Sequence, residues 1–477
     1  DFLPAESNNK NILIVGMGPA GITLAHYLSN SGCTVVGIDG LKIEPLPSNI
    51  VGIDQHGNRS SFNPIEKFSG IEEKLSSRLS YGFGGVTEYG ITTRWNKNYL
   101  TVLRILLERR ENFRLYGSTR FGSTITYEKA QTLGFHHVAL AMGAGKPQFP
   151  SLQNIFAKGI KTASDFLMSL HTQKVSRLDM PSNLQIRLPI VVLGGGLTSV
   201  DVSTECLAYY PILVKKFLQL FERAGDGFLQ SLSEEEREVA HEYITHAQIL
   251  KRNTKDQLKL LKEWGGVKII YRKGMVFSPA YRLNHEELIS GLQEGVEFLE
   301  NTKILEILLD KHGSANSVIT NNGIIKAATI IIATGTVPNI TICKEDPKNF
   351  QRKGQYFATE GAKLSKNDFF IHNRSNFSVS VHGDQHQFYG GSVVKAIASA
   401  KNSHNQITQR LLEYKARTNK KDLFKRLNND LIASVHAIQR LSHNVVEIIV
   451  KAKMSAEEFQ PGQFYRLQNY STLAHLN

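Results

Sequence analysis

Three glycines near the start of the chain have the spacing of a dinucleotide-binding loop and directly follow an apolar run: Gly16, Gly18 and Gly21. In such a loop the first glycine permits a tight turn, the second leaves room for a pyrophosphate, and the third lets the next helix pack on the strand. That helix is predicted from Pro19, with Ala20 in its first turn, to about residue 30. Its N-terminus would direct free amide groups and a positive dipole at the phosphates.

The strand predicted after this helix, residues 34–38, ends in Asp39. A carboxylate at this point of a βαβ unit accepts hydrogen bonds from ribose hydroxyl groups. Strand, loop, helix, strand and acid in this order predict a nucleotide site. The glycine spacing alone would also fit a turn that binds nothing.

A second loop in mid-chain has three consecutive glycines after the apolar run 190–193: Gly194, Gly195 and Gly196. A helix is predicted from Thr198 to about residue 208, and the small residue Ser199 takes the place of the third glycine. The amide groups at the start of this helix predict a second pyrophosphate site.

A charged helical segment, 209–265, separates this helix from the next predicted strand, 267–271. Ser233 and Glu236 predict a capping box at the start of one of its helices. The segment is an insertion into the nucleotide-binding unit. It would serve either as a docking surface for a partner or as a solvated elaboration of the fold.

Two bases, Arg272 and Lys273, follow that strand. An acid at this point suits the free ribose hydroxyl groups of NAD, whereas bases suit the 2′-phosphate of NADP. The sequence therefore favours NADP, with NAD as the alternative. Ordinary surface bases would give the same pattern without any ligand.

Further glycines follow three more predicted strands. The strands at 137–141 and 329–333 lead into Gly143 and Gly335, where we expect the chain to cross between domains. A later strand leads into Gly383 and Asp384, before the start of another helix: Gly390, Gly391 and Ser392. An acid there is placed to bind the ribityl chain of a flavin, and the helix dipole would stabilise the reduced ring.

Together these segments resemble the FAD- and NADP-binding reductase portion of the glutamate synthase small subunit, dihydropyrimidine dehydrogenase and NADH-dependent ferredoxin:NADP oxidoreductases. The resemblance places the chain in the pyridine nucleotide-disulfide oxidoreductase superfamily and covers residues 11 to about 412. It implies that FAD contacts Gly16, Gly18, Gly21, Asp39 and Asp384, with Gly391, Ser392 and Val393 near the ring and the 84–90 loop, including Gly84 and Gly85, lining the flavin site. It implies that NADP is held by Gly194, Gly196, Thr198, Ser199, Arg272 and Lys273.

The implied activity is an FAD-dependent oxidoreductase that receives a hydride from NADPH and passes electrons to an iron–sulfur partner. That partner would be a ferredoxin-like protein or a larger catalytic subunit. The chain has only three cysteines and no C-x-x-C pair, so clusters are expected only in a missing segment or in the partner. The sequence departs from the family pattern at three points. Met142 replaces the usual threonine, Trp95 follows Arg94, and residues 209–265 are inserted. These departures bear on the identity of the electron acceptor more than on the cofactors.

The composition is that of a globular protein, with 41% hydrophobic and 21% charged residues and a net charge of +13. A lysine-rich surface explains this charge better than a nucleic-acid face, because no basic run is long enough to mark one. No apolar run reaches the length of a membrane span, so a cytoplasmic protein without membrane contact is expected. The histidines show no metal-ligand spacing, and no metal site is expected.

The predicted fold class is α/β with two Rossmann-like domains and a short C-terminal β extension. The FAD domain is discontinuous, with residues 1–145 and 339–412 enclosing an NAD(P) domain at 146–338. Residues 413–430 are predicted to be a linker. Residues 431–477 resemble the opening strands of a ferredoxin-reductase-like barrel, and a small β extension is the alternative.

Three other functions share parts of this pattern. An RNA-modifying flavoprotein would use the first loop and the positive charge, but it leaves the second loop unexplained. A non-catalytic assembly subunit would keep FAD as a structural element. A flavin monooxygenase would use both loops, and the 84–90 loop argues against it.

Overall fold

The computed structural model describes residues 4–54, 57–73, 96–173, 175–178, 182–225, 227–253, 255–359, 365–374, 376–465 and 467–470. The predicted 84–90 loop, with Gly84 and Gly85, and the departure at Trp95 lie outside the described residues. Within the described ranges, none of the helices combines the length and apolar composition of a membrane span.

The N-terminal segment alternates strands with helices. Its strands are β1 (Asn11–Val15), β2 (Thr34–Ile38), β3 (Phe113–Tyr116) and β4 (His137–Leu140). Its helices are α1 (Pro19–Asn30), α2 (Ser48–Val51), α3 (Tyr99–Glu108) and α4 (Tyr127–Thr132).

The middle segment forms a second α/β unit. Its strands are β5 (Lys146–Pro147), β6 (Ile160–Thr162), β7 (Ile190–Leu193), β8 (Val267–Ile270), β9 (Glu297–Leu299), β10 (Ile304–Leu309), β11 (Ala315–Thr320), β12 (Gly323–Lys326), β13 (Thr329–Ile332) and β14 (Thr336–Val337). Its helices are α5 (Ala163–Thr172), α6 (Leu197–Ala224), α7 (Gly227–Gln230), α8 (Glu234–Arg252), α9 (Gln257–Glu263) and α10 (Pro279–Gln293).

The C-terminal segment returns to the first unit and then continues into a hairpin. Its strands are β15 (Arg352–Lys353), β16 (Tyr356–Phe357), β17 (Phe370–Arg374), β18 (Phe377–Val381), β19 (Ser434–Arg440) and β20 (Val446–Lys451). Its helices are α11 (Ile342–Glu345), α12 (Val393–Leu412), α13 (Lys420–Leu431) and α14 (Lys453–Glu457).

The first unit contains a six-stranded sheet with the order β17–β18–β4–β1–β2–β3. All neighbours pair in parallel except β17 and β18, which are antiparallel. Every residue of β1, β2 and β4 is buried, as expected for a parallel sheet covered by helices on both faces. The register places Val15 beside both Ile38 and Leu140, so the first glycine loop and Asp39 share one sheet edge.

The second unit contains a five-stranded sheet with the order β6–β13–β7–β8–β9, in which all neighbours are parallel. Leu193 at the end of β7 lies beside Ile270 and Ile332, so the second glycine loop shares an edge with the turns after β8 and β13. Strands β10–β12 form a separate antiparallel sheet. The predicted fold class, two Rossmann-like α/β units, is confirmed.

Helix α6 is longer than the sequence predicts. It continues past the expected end near residue 208 and includes Pro211, a residue that normally interrupts a helix. Tyr209, Tyr210 and Leu213 are buried in the core that α6 forms with α8, and this packing offsets the cost of the proline. The predicted capping box at the start of α8 is present, with the Ser233 hydroxyl accepting from the N–H of the third helical residue.

The composition predicted a linker at residues 413–430, but residues 420–431 form the helix α13. The Asn419 side chain caps this helix by accepting the N–H of Asp422. Its apolar residues Leu423, Phe424 and Leu427 are buried in a core of the first unit. The basic composition reflects the exposed face of the helix, and the buried face was too short to identify from sequence.

The hairpin β19–β20 is exposed along almost its whole length. All residues of β19 are exposed, among them Val435 and Ile438. An isolated two-stranded hairpin is only marginally stable in water. Residues 465 and 467, within the segment predicted to resemble the opening strands of a barrel, have no regular secondary structure.

Candidate nucleotide-binding site

A cavity of about 1750 Å³ lies along the carboxyl ends of the parallel strands of the two sheets and connects the two glycine loops. A pocket for one drug-sized ligand usually measures about 300–1,000 Å³, so this cavity has room for two nucleotides. Most predicted site residues line it: Gly16, Gly18, Pro19, Ala20, Asp39, Gly143, Gly194, Gly196, Thr198, Arg272, Gly335, Gly383, Asp384, Gly391, Ser392 and Val393.

Among the predicted site residues that the structure describes, three lie off the cavity wall: Gly21, Ser199 and Lys273. Gly21 has a packing role, because a Cβ there would lie 2.0 Å from the carbonyl oxygen of Gly16. The Ser199 hydroxyl donates to the Gly196 carbonyl oxygen at 2.5 Å and so braces the second loop from inside the helix. Lys273 is exposed to solvent.

Gly16 forms the turn out of β1, and its surroundings exclude a side chain. Its φ is +93°, and a Cβ there would lie 2.4 Å from the Ala141 carbonyl oxygen. Its N–H donates to the carbonyl oxygen of Ile38 at 2.8 Å, which joins the loop to β2. The backbone therefore turns tightly enough to form the cavity wall, as a pyrophosphate loop requires.

The Asp39 carboxylate holds the first loop in place. Its Oδ2 accepts the N–H of Met17 at 3.2 Å, and its Oδ1 accepts the N–H of Leu41 at 2.9 Å. Burial raises the pKa of Asp39, and the two backbone amides oppose that effect. Each carboxylate oxygen can accept another hydrogen bond, so Asp39 retains the capacity to bind a ribose hydroxyl group.

Asp384 is bonded to the turn that begins α12. Its Oδ1 accepts the N–H of Gly391 at 2.7 Å, which brings together two predicted flavin residues. The Ser392 hydroxyl accepts the N–H of Lys395 and caps the helix. Burial raises the pKa of Asp384, and the Gly391 amide opposes it. The carboxylate and the helix N-terminus thus meet at the cavity.

A chain of buried serines and histidines leads to the cavity beside Asp384. Nδ1 and Nε2 of His137 lie 2.7 Å from the hydroxyls of Ser378 and Ser380, respectively. The Ser380 hydroxyl lies 2.6 Å from Nε2 of His382, whose Nδ1 lies 3.2 Å from the Ser403 hydroxyl. His382 lines the cavity.

One set of hydrogen-bond directions satisfies every member of this chain when both imidazoles are neutral. The Ser403 hydroxyl donates to the Ala400 carbonyl oxygen, so its oxygen accepts the Nδ1–H of His382. Nε2 of His382 then accepts from the Ser380 hydroxyl, whose oxygen accepts the Nε2–H of His137. Burial lowers the pKa of both histidines, so both imidazoles are neutral near pH 7 and this arrangement gives each of them one N–H.

These two histidines predict a loss of stability in acid. Burial lowers the pKa of His137 to about 3 and that of His382 well below its usual value. Below pH ~6.5 the unfolded chain therefore binds more protons than the folded chain, and stability falls by up to ~1.4 kcal/mol per pH unit per histidine. Denaturant titrations at several pH values in this range give the free energy of unfolding as a function of pH. In His137→Phe the slope of this dependence should be smaller by about one proton. An identical slope in that variant would contradict the assignment.

The second loop is held by Tyr271, which the sequence analysis placed at the end of a strand but not among the cofactor-binding residues. A Cβ at Gly195 would lie 2.4 Å from the Tyr271 ring, so the ring packs directly on the loop backbone. Gly194 has a φ of +150°, and a Cβ there would lie 2.2 Å from the Ala333 carbonyl oxygen. A Cβ at Gly196 would meet no atom within 4 Å, so open space lies beside this cavity-lining residue.

Arg272 lines the cavity together with a base that the sequence reasoning missed, Lys303. The N–H of Thr302 donates to the Tyr271 carbonyl oxygen at 2.9 Å, which places Lys303 beside the end of β8. Lys303 follows β9, and no local pattern marks it. Only the pairing of β8 with β9 brings it to the site.

The two connections between the units run side by side. Residues of β5 and β14 pair antiparallel, and the Gln148 N–H donates to the Gly335 carbonyl oxygen at 2.9 Å. Gln385, also missed from sequence, accepts the Met142 N–H at 3.0 Å and donates to the Asn339 carbonyl oxygen at 2.6 Å. This one buried side chain therefore fastens both connections to the first unit.

One group of described side chains has metal-compatible spacing: Glu234, Glu238 and His312. The Lys311 ammonium group lies 2.6 Å and 2.8 Å from the two carboxylates and already balances their charge. The group is largely exposed and distant in sequence from the loops. It therefore gives no support to a metal site.

The family model for pyridine nucleotide-disulphide oxidoreductases matches residues 10–371, which is most of the chain. The chain belongs to this family. The predicted oxidoreductase class is thereby confirmed at the level of the family, as are FAD and a nicotinamide nucleotide as its cofactors. The glycine loops, the Asp39 and Asp384 carboxylates and the cavity volume described above fit these two ligands.

The chain is 38% identical, over an alignment of 499 residues, to the Rickettsia prowazekii protein named Uncharacterized protein RP006. The alignment covers 98% of this chain, which spans 64% of the length of that relative. FprA, an oxidoreductase of Mycobacterium tuberculosis, has the same fold with a TM-score of 0.51 and 13% identity, covering 88% of this chain and 89% of FprA. Thioredoxin reductase of T. acidophilum aligns with a TM-score of 0.42 and 12% identity, covering 84% of this chain and 99% of that chain.

Proposed function

We propose that this oxidoreductase oxidises NADPH at bound FAD and passes the electrons to an iron–sulfur protein or domain. The cavity that connects the two glycine loops carries the first half of the proposal, because hydride transfer requires the nicotinamide and flavin rings to be in contact. The iron–sulfur acceptor rests on the sequence resemblance to the glutamate synthase small subunit and its relatives.

The chain's own residues would bind and orient the two nucleotides. The N-terminus of α1 and Asp39 would hold the pyrophosphate and a ribose, while Asp384 would hold the ribityl chain at the start of α12. Bound FAD would supply the exchange between two-electron and one-electron chemistry. The protein side chains contribute position and the exclusion of water, and this proposal requires no acid–base residue.

We propose that Arg272 and Lys303 select NADP by contacting its 2′-phosphate. Hydrogen bonds to charged groups contribute about 1.5–3 kcal/mol each, which corresponds to roughly a 10- to 150-fold change in affinity. Arg272→Glu and Lys303→Glu should each raise the KM for NADPH by about that factor and change the KM for NADH much less. Steady-state kinetics with both nucleotides measure the effect.

Lys273→Glu is the matched control, because Lys273 has the same charge as its neighbour but lies off the cavity. It should change the KM for NADPH less than threefold. A large effect at Lys273, or equal effects on NADPH and NADH at Arg272, would contradict the proposed phosphate site.

Electrons would leave the flavin without a dithiol of this chain. Its three cysteines, Cys33, Cys206 and Cys343, are all buried and unpaired. The proposed acceptor is a separate partner, and the net charge of +13 would assist the approach of an acidic carrier. The chain spans only 64% of its relative, so the rest of a longer polypeptide is one candidate source of the acceptor.

An anaerobic titration of the purified flavoprotein tests the proposal. NADPH should bleach the flavin absorbance stoichiometrically, and an added plant-type ferredoxin should then be reduced in proportion to the NADPH. Absence of bleaching with both NADPH and NADH would exclude the reductase function. Bleaching without ferredoxin reduction would assign the electrons to another class of acceptor.

We also propose the domain boundaries 1–145 and 339–412 for the FAD domain, with 146–338 as the NAD(P) domain carrying the 209–265 insertion. The six-stranded sheet supports this division, because β18 joins strands from the other end of the chain. The exposed hairpin would begin the barrel-like domain at 431–477. Limited proteolysis should cleave after α13 before it cleaves either nucleotide unit.

A further inference from the structure

A buried ion pair connects the two nucleotide-binding units away from the cavity. Nζ of Lys97 lies 2.6 Å from Oδ2 of Asp201, and the two side chains are 4% and 0% exposed. Lys97 precedes α3, whose residues Leu100 and Leu107 belong to the core of the first unit. Asp201 lies on α6, in the core of the second unit. The contact therefore joins two separate hydrophobic cores.

Asp201 lies close enough to the second glycine loop to fix the orientation of the helix that follows it. It lies in the first turns of α6, directly after the cavity-lining residues Gly196 and Thr198. A helix is rigid over one turn, so a contact at Asp201 fixes the direction of the helix N-terminus. That N-terminus is where the nicotinamide nucleotide's phosphates would bind. Neither Lys97 nor Asp201 lines the cavity, so neither would touch a ligand there.

The face of α6 that carries Asp201 is acidic and buried, which requires a structural reason. Glu205, one turn later, is 0% exposed and lies 3.5 Å from Nε2 of His171 on α5. Charges withdrawn from water are costly, and a buried ion pair contributes little net stability compared with apolar residues of the same shape. Its distinctive contribution is to specify one arrangement of the parts it joins, because misalignment leaves a charge unpaired.

We propose that the Lys97–Asp201 pair sets the orientation of the nicotinamide-binding unit relative to the flavin-binding unit, and that both are positioning residues for hydride transfer. This inference rests on the proposed function, in which a nicotinamide must meet a flavin across the cavity. A displacement of about 1 Å between reacting groups can reduce a rate about 100-fold. Loss of the pair should therefore reduce the rate of flavin reduction more than it reduces nucleotide affinity.

Rapid-mixing measurements of flavin reduction at increasing NADPH concentrations separate these quantities. In Lys97→Met and Asp201→Asn we expect the limiting reduction rate per bound flavin to fall at least tenfold, with the apparent dissociation constant changed less than threefold. The double variant K97M/D201L removes both charges and should regain thermal stability while remaining slow. Wild-type rates in the single variants, or recovery of the rate in the double variant, would overturn the inference.

The matched control is the pair Lys42–Glu44, which has the same 2.6 Å separation and the same exposures of 4% and 0% but lies within the first unit. Lys42→Met should destabilise the protein without the tenfold loss in reduction rate per bound flavin. A tenfold loss there would show that any missing buried pair slows the reaction and would overturn the specific role of Lys97 and Asp201.

A distance measurement provides a readout that does not depend on activity. The native cysteines are buried, so spin labels attached at Thr132→Cys in the first unit and Lys259→Cys in the second report the arrangement of the units. The distance distribution should shift or broaden in Asp201→Asn. If that variant does not fold, Asp201→Glu, which keeps the charge but adds a methylene group at a fully buried site, should shift both distance and rate. Unchanged values of both would overturn the inference, whereas a wild-type protein that NADPH does not reduce would refute the proposed function instead.

Discussion

Replacing Gly16 with valine should yield a protein that purifies without FAD. A Cβ at this position would lie 2.4 Å from the Ala141 carbonyl oxygen, and the residue has a φ of +93°, where a β-branched side chain is strained. Overpacking and backbone strain together cost roughly 2–6 kcal/mol. The chain can relieve that cost only by opening the turn that would hold the pyrophosphate. The flavin-to-protein absorbance ratio of the purified variant measures the loss.

Gly70→Val provides the control for this substitution. Gly70 is exposed, its φ lies outside the left-handed region, and a Cβ there would meet no atom within 4 Å. This variant should retain a wild-type flavin content. Full flavin occupancy in Gly16→Val would show that the first loop does not hold FAD.

Replacing Gly194 with valine should yield a flavoprotein that NADPH cannot reduce. A Cβ at Gly194 would lie 2.2 Å from the Ala333 carbonyl oxygen, so the second loop must separate from the end of β13. The first loop belongs to the other unit, and FAD should remain bound. Anaerobic NADPH should leave the flavin absorbance unchanged over minutes, whereas dithionite should bleach it fully.

The variant Gly196→Ala shows whether NADPH binding is lost through a distorted loop or through a blocked contact with the nucleotide. A Cβ at Gly196 meets open space, so the fold should be unaffected while the methyl group occupies part of the nucleotide-binding cavity. We expect NADPH to reduce this variant at high concentration only, with a KM at least tenfold above wild type. Equal behaviour of Gly194→Val and the wild type would assign NADPH to another site.

The sequence predicted the two loops because their constraints are local. A strand followed by a glycine at positive φ and a helix start occupies about ten consecutive residues, and each residue type follows from the backbone it must adopt. Gly16 and Gly194 both have positive φ in the structure. The acids Asp39 and Asp384 were found for the same reason, because each lies within three residues of the end of a strand.

The contacts that complete the site are long-range, and no local pattern encodes them. Lys97 and Asp201 are 104 residues apart, and His137 lies 241 residues before Ser378. A single sequence does not show whether a given lysine is buried or exposed. The extension of α6 through Pro211 was missed for a related reason, since tertiary packing outweighed a local helix breaker.

The paired connections β5 and β14 have a thermodynamic consequence. Because they are hydrogen-bonded to each other, a relative rotation of the units must concentrate at the residues that flank the pair, Gly143 and Gly335. Both have positive φ and both line the cavity. A ligand that prefers one rotation therefore changes the binding of the other ligand, and linkage makes the effect reciprocal. The factor by which bound NADP changes the affinity for FAD must equal the factor by which bound FAD changes the affinity for NADP.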